Sequence, residues 1–380
     1  MKIHLICAAR PNFMKIAPLY HALKKVDWAD PVIVHTGQHY DLNMSGSFFR
    51  DLGLPSPDIN LGVGSGTHAE QTGRVMIAYE QVLREHKPDL VVVVGDVNST
   101  MAATIAASKV VYPISDLTSR ANQRQRPLVA HVEAGLRSFD RSMPEEINRL
   151  VTDSLADMLW APSADAVENL SKEGVSPDKI QLVGNIMIDS LEMLRKTIES
   201  QMAYASLGLQ PGNYGVVTLH RPSNVDNPEV LEKCCTILWE IADDIPLVFP
   251  IHPRTRKNME LGHLLDRLEG SQRLLLPEPL SYVRFMNLVF NCRLTITDSG
   301  GVQEETSYLG IPCLTLRENT ERPITITHGT NRLCTLNDLK GKVKSALHNG
   351  SYGERKIELW DGKTSERIVA ILKDVNRFEK

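Results

Sequence analysis

Short apolar runs recur along the chain, and amphipathic stretches separate them. Strand-like runs lie at Ile3–Ala8, Val32–His35, Leu90–Val94, Leu128–His131 and Met158–Ala161. A second set follows at Gly215–Leu219, Leu247–Ile251, Arg273–Leu275, Leu294–Thr297 and Cys313–Leu316. Most runs are continuous rather than alternating, as expected of strands buried on both faces of a parallel sheet. Between them, Thr100–Lys109, Glu145–Ala156, Ala164–Lys172 and Pro228–Asp243 have helical character. Strand and helix in alternation predict an α/β protein with parallel sheets.

The alternation occurs twice, and 380 residues exceed one typical core. Val183 to about Pro211 predicts a helical connector with its apolar face on Ile186–Leu194. The expected division is a first Rossmann-like domain over residues 1–180 and a second over 181–363. A last helix, Thr364–Val375, within residues 364–380, is expected to fold back onto the first domain. Two such domains facing each other place a ligand cleft between the carboxyl ends of their sheets. One stretch breaks the rhythm: Pro113–Pro127 is polar and basic, where such a connection normally takes ~2–6 residues. It reads as a solvated surface insertion, with a functional lid as the alternative.

Composition narrows the classes. The chain is 42% hydrophobic and 23% charged with a formal net charge of −4, which marks no general nucleic-acid binder. No segment offers the ~18 uninterrupted apolar residues of a membrane span. The first residues enter a strand at once and carry no export signal. Six cysteines are scattered without paired spacing. Buried free thiols in a reducing cytoplasm are expected, and no metal site.

The most informative chemistry lies at Asp298-Ser299-Gly300-Gly301-Val302-Gln303-Glu304-Glu305. The pattern predicts strand, tight turn, helix. Two glycines let a ligand approach the backbone, and the helix start presents free N–H groups and the positive dipole end. A nucleotide diphosphate would seat there, with the acidic pair within reach of sugar hydroxyls. A purely structural Gly-Gly turn is the alternative.

Loops of the first half carry polar clusters. Asp96 follows four valines; Asn98 or Ser99 can cap the next helix, which leaves Asp96 free. Glu133 stands at another strand end before a Gly turn, where packing does not explain it. Glu145 and Glu146 follow Pro144 at a helix start, where dipole complementarity alone could account for them. Asp96, Glu133 and Glu145 are expected at one cleft edge, where like charges would raise at least one pKa and give an acid and a base. Arg10 and Lys15 could face an anionic ligand or only solvent. His220 ends a strand and is either structural or catalytic. His252 repeats its pattern one strand later, and Arg322 could pair with a phosphate or a sugar acid.

Together these segments resemble the non-hydrolysing UDP-N-acetylglucosamine 2-epimerases. The motifs are ARPNFMKIAP, TGQHYD, GDVNST, HVEAGLRS, MPEEINR, GN-x-x-ID, LHRPSNVD, HPRT, DSGGVQEE and TERP, in the family's order over nearly the whole chain. The resemblance implies a GT-B-like pair of domains and inversion of C2 of UDP-GlcNAc to UDP-ManNAc. UDP would be eliminated to leave 2-acetamidoglucal and then added back, with no cofactor and no metal. It implies acid/base roles for Asp96, Glu133 and Glu145, and a place for His220 near the leaving diphosphate. Ser299, Gly300 and Gly301 would hold the diphosphate, Glu305 the ribose, and Arg10, Lys15 and Arg322 the nucleotide sugar. A second, activating UDP-GlcNAc would involve Gln38, Arg221 and His252, and a homodimer is usual. Tyr40–Ser45, Asn12-Phe13, the HRPSNVD form and the 113–127 insertion depart from the family pattern. Alternatives are a modified sugar such as a 2,3-diacetamido uronic acid, a hydrolysing epimerase releasing ManNAc, and a GT-B glycosyltransferase.

Overall fold

The computed structural model describes residues 1–37, 51–113, 125–349 and 356–378. Gln38, Tyr40–Ser45 and most of the 113–127 insertion lie outside the described residues. The chain forms two compact units, Met1–Met193 with Glu358–Lys380, and Leu194–Ile357.

The first unit holds a seven-stranded sheet in the order β3-β2-β1-β4-β5-β6-β7, with every adjacent pair parallel. Its strands are β1 (Lys2–Cys7), β2 (Asp30–His35), β3 (Ile59–Asn60), β4 (Leu90–Val94), β5 (Leu128–Val132), β6 (Met158–Ala161) and β7 (Ile180–Leu182). β1 pairs with β2 through Leu5 and Ile33, and with β4 through Leu5 and Val92. The chain winds from β1 to one edge, then returns to build the other from β4. β1 and β4 therefore flank the point where strand order reverses, and the loops after them open a crevice there. Val91, Val93 and Leu159 pack under Tyr79, Leu83 and Ala103 of the covering helices.

The second unit repeats the winding in the order β10-β9-β8-β11-β12-β13, again all parallel. Its strands are β8 (Gly215–Thr218), β9 (Leu247–Val248), β10 (Leu274–Leu275), β11 (Leu294–Thr297), β12 (Cys313–Leu316) and β13 (Asn331–Cys334). Its reversal falls between β8 and β11, registered at Val217 and Ile296. Val217, Phe249, Ile296 and Leu314 form its core with Leu238 of the helix Pro228–Asp244.

Three strands went unmarked in the apolar pattern: β3, β7 and β13. All three are sheet edges, and each is partly exposed. An edge strand packs less apolar surface than a central one, so it lacks the continuous run that betrays the others. Among the described residues no helix is long and apolar enough to cross a membrane.

The chain's last helix, Thr364–Phe378, packs on the helix Arg10–Leu23. Asp189 anchors its start, accepting from Thr364 N at 3.0 Å and Ser365 N at 2.7 Å. The lead-in crosses Gly184, which has φ +93° and no room for a side chain. A Cβ there would sit 2.2 Å from the Leu359 carbonyl oxygen. Gly184→Ala should therefore cost about 2–4 kcal/mol of stability in urea unfolding. An unchanged midpoint would mean that the two segments separate freely.

Candidate functional site

In the first unit, the crevice loops carry a buried ion pair. Glu133 follows β5 with φ +71°, a left-handed conformation costing a non-glycine residue about 1–2 kcal/mol. Its carboxylate is nearly buried, and Lys15 Nζ lies 2.6 Å from Oε2. Oε1 is also buried and has no partner among the described residues. Lys15 comes from the helix Arg10–Leu23, which Arg10 opens. Gly95, at φ +66°, makes the space: a Cβ there would stand 2.8 Å from Lys15 Nζ. Asn12 fixes the loop after β1, accepting from Ala8 N and Ala9 N and donating to the Val94 carbonyl oxygen at 3.1 Å. Asn12 is thus a loop brace.

Asp96 follows Gly95 and is bound by Arg149. Arg149 is itself buried against Glu146, at 2.6 Å. Glu145, at the start of the helix Pro144–Leu155, is half-buried and makes no ion pair with another described residue. One expectation needs correction. Neither Asn98 nor Ser99 caps a helix: Val97 holds the cap position, Asn98 donates to Gln71, and Ser99 bonds Thr36 at 2.9 Å. Glu133 and Asp96 each have their own cation. Sequence reasoning missed Arg149; the polar positions at helical spacing after Glu145 were its signal.

In the second unit, the loop after β11 begins with Asp298, fully buried at the strand end. Its carboxylate accepts from His220 N at 2.9 Å, Arg221 N at 2.9 Å and Asn224 Nδ2 at 3.0 Å. His220 Nδ1 lies 3.0 Å from it. Burial would raise the Asp298 carboxyl, but the His220 hydrogen bond and charge, with the Arg221 and Asn224 donors, hold it below the usual carboxylate range. The buried carboxylate orients the imidazole, whose side chain stays 38% exposed. The His252 ring stands 5.6 Å from that of His220.

Ser299 precedes the helix Gly300–Leu309 and caps it with no side-chain bond, leaving the first N–H groups for another acceptor. The two glycines differ. A Cβ at Gly300 would meet Arg322 Nη1 at 2.5 Å and Glu321 Oε1 at 2.8 Å, whereas at Gly301 it would meet nothing within 4 Å. Gly300 admits the protein's own guanidinium; Gly301 leaves open space. Arg322 is held by Glu304 at 2.7 Å and by Glu321. Glu321 also binds Arg317 at 2.7 Å and lies 3.7 Å from Arg221. Glu305 is buried and accepts from the Tyr282 hydroxyl at 2.7 Å. Burial pushes its carboxyl up to about 8, the Tyr282 bond opposing and the Glu304 charge adding.

Comparison with known proteins identifies the family. A family model described as UDP-N-acetylglucosamine 2-epimerase matches residues 21–373. A UDP-N-acetylglucosamine 2-epimerase of Methanocaldococcus jannaschii is 43% identical, covering 98% of this chain and 99% of its own. A UDP-2,3-diacetamido-2,3-dideoxy-D-glucuronate 2-epimerase of Pseudomonas aeruginosa is 40% identical over 88% of each chain. The crystal structure of the M. jannaschii UDP-GlcNAc 2-epimerase in complex with UDP-GlcNAc and UDP matches with a TM-score of 0.84 at 42% identity. That match covers 98% of this chain and 100% of the other. The two Rossmann-like units make the fold GT-B-like.

The raised carboxyl of Glu305 has a testable sign. Between about 4.5 and about 8, the unfolded chain releases this proton while the folded chain keeps it. Its contribution to stability therefore falls as pH rises through that window. Glu305→Gln should stabilise the protein by ~2 kcal/mol or more at pH 8 and change little at pH 4.5. Urea unfolding at both pH values measures this, and equal effects would refute it.

Proposed function

The chain belongs to the UDP-N-acetylglucosamine 2-epimerase family, and from that premise we propose that it inverts C2 of UDP-GlcNAc to give UDP-ManNAc. The observation that carries the reading is the state of Glu133. One oxygen is held by Lys15, and the other is buried without a partner among the described residues. A carboxylate in that state is fixed in direction and keeps one oxygen uncommitted, which is the geometry a general base needs.

Inversion needs two acid/base groups, because the C2 proton leaves one face and another arrives on the opposite face. Glu133 and Asp96 serve the two faces, with Glu145 as the third carboxylate of the set. Proton removal from C2 and cleavage of the C1–O bond release UDP and leave 2-acetamidoglucal. Proton delivery to the other face of C2 and return of the UDP oxygen to C1 complete the inversion. His220, oriented by Asp298, stands by the leaving diphosphate. The open space at Gly301 and the free N–H groups after Ser299 receive that diphosphate. Glu305 takes the ribose hydroxyls, and Arg10 and Lys15 contact the nucleotide sugar. Arg322 supports the seat from beneath Gly300, its guanidinium already on two carboxylates.

A second reading keeps the reaction and changes the sugar. The P. aeruginosa relative is named for a 2,3-diacetamido glucuronate and is 40% identical, close to the 43% of the archaeal enzyme. Parallel assays with both UDP-sugars separate the two readings by kcat/KM.

Incubation with UDP-GlcNAc in D2O, followed by NMR, should give deuterium at C2 and a mixture of UDP-GlcNAc and UDP-ManNAc. Free ManNAc as the main product would indicate hydrolysis, and absence of C2 exchange with either sugar would overturn the reading. Glu133→Gln should cut kcat by roughly 10² or more while UDP affinity stays within a few fold.

A further inference from the structure

The helix Pro144–Leu155 buries the opposite face from a packing helix. Its buried positions are Glu146, Asn148, Arg149, Thr152 and Asp153, while Ile147 and Leu155 are 41% and 39% exposed. Polar groups taken from water are costly unless bonded, so their partners show what the helix holds. Arg149 binds the Asp96 carboxylate, and Asn148 Nδ2 donates to the Asp96 carbonyl oxygen at 2.8 Å.

Asp153 reaches the loop that carries Glu133. Its Oδ1 lies 2.6 Å from His131 Nδ1. Its Oδ2 accepts from Gly135 N at 3.0 Å and lies 2.7 Å from Arg137 Nη1. His131 and Gly135 stand two residues before and two after Glu133, so one carboxylate pins both sides of its left-handed turn. His131 Nε2 then reaches the Gly95 carbonyl oxygen at 2.9 Å. A carbonyl only accepts, so Nε2 carries the hydrogen. Gly95 immediately precedes Asp96. Burial would raise the Asp153 carboxyl, but His131, Arg137 and the Gly135 N–H outweigh it and keep it low. The carboxylate therefore stays an acceptor at every bond.

We propose that Asp153 and His131 are positioning residues for the C2 inversion, setting the Glu133 and Asp96 carboxylates against one another. The inference rests on the reaction proposed above. Both residues are buried, at 3% and 0% exposure, and act through the loops they hold. A carboxylate that served only stability would not need its bonds to end on both sides of Glu133, with one of those partners, His131, reaching on to the residue before Asp96.

The test uses the full chain with Asp153→Asn and His131→Asn. The first keeps the shape but loses an acceptor. The second cannot span from Asp153 to the Gly95 carbonyl. Each should lower kcat roughly 30-fold or more while KM for UDP-GlcNAc and the Kd for UDP stay within about threefold. Wild-type kcat in both variants would overturn the proposal. So would KM and UDP affinity collapsing together with kcat, the mark of a general loss of structure. If neither variant folds, nitrogen-15 NMR of the wild-type protein decides. A slowly exchanging His131 Nε2–H supports the clamp, and a freely exchanging one overturns it. Wild-type protein without C2 exchange would instead overturn the functional reading.

Discussion

A carboxylate removed from water must find a cation or a set of N–H donors, and the functional loops of both units are arranged around that requirement. Glu133 has Lys15, Asp96 has Arg149, and Asp298 has His220 with two backbone N–H groups and the Asn224 amide. Each partner comes from a different element. The ion pairs therefore tie loops together that the sheet alone would only bring near one another. Lys15 links the helix after β1 to the loop after β5. Arg149 links a later helix to the loop after β4. Asp298 links the loop after β11 to the loop after β8. These loops border or neighbour the points where strand order reverses, which is where such a fold leaves room for a ligand.

The same requirement explains what was readable in the sequence. The continuous apolar runs marked the central strands, because burial on both faces demands them. The polar residues just after those runs marked the loops, because nothing in a core calls for Asp96, Glu133 or Asp298 there. Edge strands β3, β7 and β13 left no such run. Lys15 stood out as a cation, but the pairing of the charges was silent. Lys15 and Arg149 lie 118 and 53 residues from the carboxylates they neutralise, and no local pattern announces a pairing that only the folded sheet creates. Asn12 stands in a loop that departs from the family pattern. Its brace across Ala8, Ala9 and Val94 exists only because β1 and β4 are neighbours in the folded sheet. Glu305 was expected to meet sugar hydroxyls. Its burial against Tyr282 adds a raised carboxyl that sequence spacing could not convey.

The charge balance differs between the two units in a way that suits the proposed reaction. Around Glu133 and Asp96, Lys15 and Arg149 face three carboxylates once Glu146 is included. That set can move a proton without stranding a net positive charge beside it. Beneath Gly300, three guanidinium groups, of Arg221, Arg317 and Arg322, surround the two carboxylates of Glu304 and Glu321. Asp298 adds a third carboxylate beside Arg221, so these charges balance, and the dipole and first N–H groups of the helix Gly300–Leu309 are what favour an anion above the loop. A leaving diphosphate gains negative charge as its bond to C1 breaks, so this half stabilises it more after cleavage than before. An epimerase needs that preference, because the departed group must stay in place to be added back. A hydrolysing enzyme would gain the same help in breaking the bond; only the epimerase must also keep the diphosphate in place afterwards.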